Sequence, residues 1–182
     1  MTHPLEQIPP HQRSRLFSAL LWLTVTLLLV MNFTGMPLNT SAAPQGIISF
    51  EFAATPERAQ QMLDSWTPEA KVRGGFIQGL DFLFPIAYST TVALACVMAG
   101  SVLQRRGLAG GRLGGWLAWG LWTAACLDYI ENIALLVLLF GRVESPFPQV
   151  AAVCAAIKFA LLAAGLVYAF YGLASRAIPA RA

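Results

Sequence analysis

Four stretches of this chain are almost wholly apolar and about as long as a bilayer is thick, over roughly residues 16–33, 80–103, 115–140 and 149–173. Few folds survive that constraint. A helix needs roughly 20 apolar residues to cross the hydrocarbon core, so 182 residues accommodate four crossings and one sizeable loop, residues 35–79, in a single domain covering 1–182. The chain is 57% hydrophobic and only 12% charged, too little polar surface for a hydrated globule. The expected fold is therefore an all-α membrane protein, a four-transmembrane-helix bundle with a helical extracytoplasmic loop, and its first partner is the lipid bilayer.

The same counts exclude several functions. Net charge is only +3, with no lysine- or arginine-rich block and no zinc-finger spacing, so no nucleic acid partner is expected. Cys96, Cys126 and Cys154 all lie in apolar segments and form no C-x-x-C pair, which reads as buried free thiols rather than a disulfide framework. His3 and His11 both precede the first span. Intramembrane zinc, haem and di-iron sites lean on imidazole, so no metal and no cofactor is expected.

Residues 1–12, with three prolines and no apolar period, read as a short disordered tail. Arg13 and Arg15 then lead into a span too long for a signal-peptide core, with Ser41-Ala42-Ala43 too far beyond it to be its cleavage site, so the segment is expected to be retained. In the loop, Ile47 to Ala53 suits either an extended piece or a helical turn. Thr55-Pro56-Glu57 is a helix start: a capping hydroxyl, proline at the first position and an acid at the positive dipole end. Ala59, Met62, Leu63 and Trp66 follow on one stripe, so this helix is expected to lie flat on the membrane or across the bundle mouth. Thr67-Pro68-Glu69 repeats the signal and predicts a second short helical turn before Gly74-Gly75.

Lys and Arg near membrane ends set orientation. Arg13, Arg15, Arg105, Arg106, Arg112, Arg176 and Arg181 fall on one side, and Arg58, Lys71, Arg73 and Arg142, mixed with acids, on the other. A multi-pass protein of the cell inner membrane with both termini cytoplasmic is expected. Trp22, Trp116, Trp119 and Trp122 read as interfacial or lipid-facing anchors.

The third span carries Asp128, Glu131 and Asn132 at i, i+3 and i+4, one face, opposite Leu127, Ile130, Ile133 and Val137. A charge at the membrane centre costs about 2.5–3.5 kcal/mol on insertion scales, so such residues face protein and have partners. The second span offers Asp81 and Tyr88 on one arc with Pro85, and the fourth offers Lys158 on a face shared with Cys154, Leu161, Gly165 and Gly172. Lys158 with Asp128 or Glu131 reads either as a register-fixing buried ion pair or, since three acids face one lysine, as part of a site whose excess carboxylate is protonated, binds a cation or meets water. Ala152, Ala156, Ala160 and Ala164 form a separate small-residue stripe, a candidate surface for self-association or a membrane partner.

The combination Phe50-Glu51-Phe52-Ala53 with Thr55-Pro56-Glu57, then Leu80-Asp81-Phe82-Leu83-Phe84 with Tyr88, then Asp128-Tyr129-Ile130-Glu131-Asn132 resembles an uncharacterised family of small four-helix bacterial integral membrane proteins. The resemblance covers most of residues 47–140. It implies the same layout and a shared polar cluster that includes Glu51, and it implies no activity.

The reading that follows is an acidic intramembrane pocket of Asp81, Asp128, Glu131, Asn132, Tyr88, Lys158 and Glu51 that binds a cation, a proton or a small lipid-like or amine ligand. A membrane-embedded enzyme working through paired carboxylates is the second reading. A structural or assembly subunit docking through its alanine stripe is the third.

Overall fold

The computed structural model describes residues 2–176, whose regular elements are all helices, with no strand among them. Seven α-helices follow in order: α1 (Pro10–Gly35), α2 (Ile47–Glu51), α3 (Pro56–Ser65), α4 (Pro68–Leu80), α5 (Phe84–Arg105), α6 (Leu113–Leu139) and α7 (Phe147–Ser175). The segments Pro10–Leu38, Phe84–Arg105, Leu113–Leu139 and Phe147–Ser175 are long and apolar enough to cross a membrane, with mean hydropathy of 2.1, 1.8, 1.5 and 2.3. This is a multi-pass helical membrane protein.

The chain resolves into two units. One comprises residues 2–24, 86–125 and 158–176, the other residues 25–85 and 126–157.

The core of the first unit runs through Leu94, Leu103, Ala118 and Leu121. Its helices approach backbone to backbone. A Cβ added at Gly100 would lie 2.7 Å from the carbonyl of Gly111, one at Gly114 would lie 2.5 Å from the carbonyl of Cys96, and one at Gly172 would collide with Ala99. α5 closes through left-handed Gly107 (φ +63°), where the amide of Leu108 reaches Leu103 O at 2.9 Å and that of Gly107 reaches Gln104 O at 3.1 Å. Glycine supplies the positive φ such a helix end requires.

The expected disordered tail is ordered, a correction with three physical causes. Residues Pro4–Glu6 form a 3-10 turn, and Leu5 is buried in the core of the first unit. Arg13 then binds the tail from α1, its Nε donating to Ile8 O at 2.6 Å and its guanidinium to Glu6 O and to Ser101 Oγ. His3, fully buried, packs edge-on against Trp119 and Trp122 with ring centroids 4.7 and 4.4 Å away. Those two tryptophans therefore hold the N-terminus rather than serving only as lipid anchors. Trp22 and Trp116 do face outward.

The second unit is built on the loop that precedes α5. The ambiguous Ile47 segment is helical, and Thr55 and Thr67 cap α3 and α4 by accepting from the amides of Arg58 and Ala70. Hydrogen bonds from their own backbone amides, and from those threonines, hold the Glu57 and Glu69 carboxyls below the usual range. The α3 stripe of Ala59, Met62, Leu63 and Trp66 is buried in one core with Leu38, Phe50, Leu138 and Ala151, so this face packs on protein. Trp66 Nε1 donates to Leu38 O at 2.8 Å and its ring meets Phe50 at 5.1 Å.

Two boundaries also differ from expectation. α4 continues through Gly74-Gly75 to Leu80, because its apolar positions keep helical spacing beyond the glycines: Ala70, Gly74 and Ile77 are buried. The second span begins at Phe84, not Leu80, because residues 81–83 turn and Pro85 enters where no intrahelical N–H is needed. Asp81 thus ends α4 instead of riding on the span. Cys126 is exposed, unlike Cys96 and Cys154, and Arg181 lies outside the described residues.

Candidate functional site

Every third-span residue singled out for chemistry faces inward. Asp128, Glu131 and Asn132 are at most 1% exposed, while Ile130 and Ile133 on the other side of α6 are 49% and 57% exposed. The i, i+3, i+4 spacing alone produces this sorting.

Asn132 is the organiser of the second unit. Its Nδ2 donates to Asp81 O at 2.9 Å, and its Oδ1 accepts from Gln78 Nε2 at 3.1 Å. One helical turn away on the same helix, Tyr129 Oη donates to Phe82 O at 2.9 Å, with the two rings 5.9 Å apart. The turn between α4 and α5 is thereby fixed to α6 at two consecutive carbonyls. That fixing places Asp81, itself buried, at the same end of α4 as Gln78.

The directions of these bonds are forced. A backbone carbonyl only accepts, so the group Asn132 turns toward Asp81 O must be its NH2, and Oδ1 faces Gln78. Gln78 must then present its own NH2 to Asn132, which turns Oε1 the other way. Gln78 is 1% exposed, and that Oε1 has no hydrogen-bond partner. A buried acceptor left unmatched costs about 1–3 kcal/mol, and native proteins rarely leave one without reason.

Glu51 and Asp81 are buried in this unit with Asp128 and Glu131, and each of the four engages a neighbouring group. Four buried carboxyls and two buried amides therefore share one compact body. Among the described residues, however, no three Asp, Glu, His or Cys side chains gather as a metal ion would require. The chemistry on offer is hydrogen bonding and single-charge pairing.

Tyr88 and Lys158, the other two residues expected at the site, are each 6% exposed and engage neighbours. They belong to the first unit. On α7, Cys154, Gly165 and Gly172 share the buried side with Lys158, Ala152 is half-buried, and Ala156, Ala160 and Ala164 are exposed. Gln78 escaped sequence reasoning. Its only signal was an amide on the apolar side of α4, one residue after Ile77, and that is visible only once the helix is known to continue past Gly75.

Fold and site together define a class: a multi-pass helical membrane protein one unit of which buries four carboxyls and two hydrogen-bonded amides. Comparison narrows this no further, since no protein-family profile, curated protein or solved structure matches the chain.

Proposed function

We propose that the cluster of Glu51, Gln78, Asp81, Asp128, Glu131 and Asn132 is a buried binding site for a small ligand bearing a cationic N–H donor, an organic ammonium group. The observation that carries this reading is Gln78 Oε1, a buried acceptor whose direction is dictated by Asn132 and which calls for a donor. Carboxylates supply the charge an ammonium needs when it leaves water. Among the described residues no three acids converge as a bare metal ion would need, whereas a donor-bearing cation needs no such convergence. A proton shared among the acids would meet the same need in the absence of ligand.

The site would sit in a protein of a bacterial inner membrane, with both termini cytoplasmic and the segment bearing α2 to α4 outside the cytoplasm, as the arginine asymmetry favours. The likeness of the F-E-F-A, L-D-F-L-F and D-Y-I-E-N segments to a family of small four-helix bacterial membrane proteins is in keeping with it. A second reading, assembly with another copy or another membrane protein, draws on the exposed Ala156, Ala160 and Ala164. Replacing Ala156 and Ala160 by leucine should then disperse a complex that survives mild detergent.

Thermal unfolding of the purified protein tests the first reading, with butylammonium chloride compared to sodium chloride at equal ionic strength. The wild-type protein should be stabilised only by the amine. Glu131→Gln and Gln78→Met should remain folded and lose that response. An undiminished response in both, or none in the wild type, rejects the proposal.

A further inference from the structure

α1 is lightly packed. Only Leu27 along its whole length is buried. Between α1 and the α5–α7 pair lies a groove of about 460 Å³, within the range of about 300–1,000 Å³ usual for small-molecule sites. Small residues line it, Ala95 and Ala99 on α5 with Ala169 and Gly172 on α7, at the place where α7 comes so close to α5 that Gly172 tolerates no Cβ. Phe17 of α1 and Phe170 of α7 stand as walls.

Two polar groups line this space. Thr91 is already satisfied, donating to Ala87 O at 2.7 Å and lying 3.2 Å from Thr24 Oγ1. The other is Arg176, the one charged residue among the described residues of the lining, which include no carboxylate. Arg176 follows directly on the end of α7, so the groove is apolar along its length and cationic at the helix terminus.

We propose that this groove is a binding site for one anionic phospholipid, its acyl chain against Ala95, Ala99 and Gly172 and its phosphate on the Arg176 guanidinium. An apolar trough open to hydrocarbon accepts a chain that a soluble ligand cannot supply. The planar guanidinium matches two phosphate oxygens at once, and basic pockets between membrane spans recognise lipid headgroups in this way. A zwitterionic headgroup brings a positive charge with its phosphate and loses most of the attraction. The site shares no residue with the carboxylate cluster and does not depend on it.

Native mass spectrometry of the full chain, titrated with dioleoyl phosphatidylglycerol and with the matching phosphatidylcholine, tests the proposal. One phosphatidylglycerol should be retained, roughly five- to tenfold more tightly than phosphatidylcholine. Arg176→Gln, at an exposed position, should abolish that preference and leave the protein folded, while Arg15→Gln on exposed α1 surface should keep it. Inorganic phosphate in excess should not displace the lipid. Equal binding of the two lipids, a preference that survives Arg176→Gln or is lost equally in Arg15→Gln, or displacement by phosphate would each overturn it.

Discussion

In the first unit the helices meet through glycine and alanine, so closely that Gly114 and Cys96 are separated by backbone alone, whereas the second unit surrounds six polar side chains with Leu38, Phe50, Trp66 and Leu135. Gly74 and Gly75 in the second unit have only ordinary neighbours, at 3.6 and 3.8 Å from an added Cβ. Close backbone contact maximises dispersion where the helices touch, which suits a scaffold in lipid, where apolar burial offers no net drive. A polar interior stabilises less and demands partners for each group. The second unit is accordingly where stability should respond to chemistry, and the first where it should respond to volume.

The sharpest break of that contrast is steric. Gly114→Leu should destabilise by about 3 kcal/mol or more, because the new side chain meets a backbone that has no room to retreat. Gly75→Ala should change stability by less than about 1 kcal/mol. Denaturant unfolding in mild detergent compares the two, and equal losses would erase the distinction.

Next comes polar deletion in the second unit. Asn132→Leu removes the donor to Asp81 O and the acceptor for Gln78 Nε2 together, for a loss of roughly 1–3 kcal/mol. Gln78→Met breaks one of those bonds but also eliminates the unmatched Oε1, so its cost should be clearly smaller. If Gln78→Met proves the more damaging of the pair, Oε1 has a partner after all and the amine site loses its main support. Trp66→Phe should cost about 1 kcal/mol, the value of its bond to Leu38 O.

The smallest effect concerns the one titratable group outside the spans in the first unit's core. Burial pushes the His3 imidazole below its usual value of 6.5, against a weaker upward pull from Glu6. Its Nδ1 accepts from the Leu5 amide at 3.2 Å, so the neutral ring carries its proton on Nε2, between the two tryptophans. A base with a lowered pKa stabilises the docked state above about pH 6.5, and that contribution is lost as pH falls through the folded value. Tryptophan emission should shift between about pH 7 and about pH 5 as the N-terminal segment loosens. His3→Leu should abolish the shift, and an identical titration in that variant would remove His3 from the account.

Much of this was legible beforehand. The four spans follow from apolar length, the inward turn of Asp128, Glu131 and Asn132 from helical spacing, and the starts of α3 and α4 from Thr-Pro-Glu capping. The docked N-terminus was not, because His3, Leu5 and Arg13 find their partners on α5 and α6, about 90 residues or more along the chain. Nor was Gln78, whose significance depends on a hydrogen bond to a residue 54 positions away.

The sequence by itself determined how many times the chain meets the membrane and which face of α6 turns from lipid, since transfer free energy and helical periodicity are local properties that each segment carries with it. Only the tertiary structure decided that Asn132 orients Gln78, that Asp81 ends a helix instead of riding a span, and that Arg176 closes an apolar groove. Those outcomes depend on which distant backbones come near enough to exchange hydrogen bonds or exclude a side chain, and no local pattern encodes that distance.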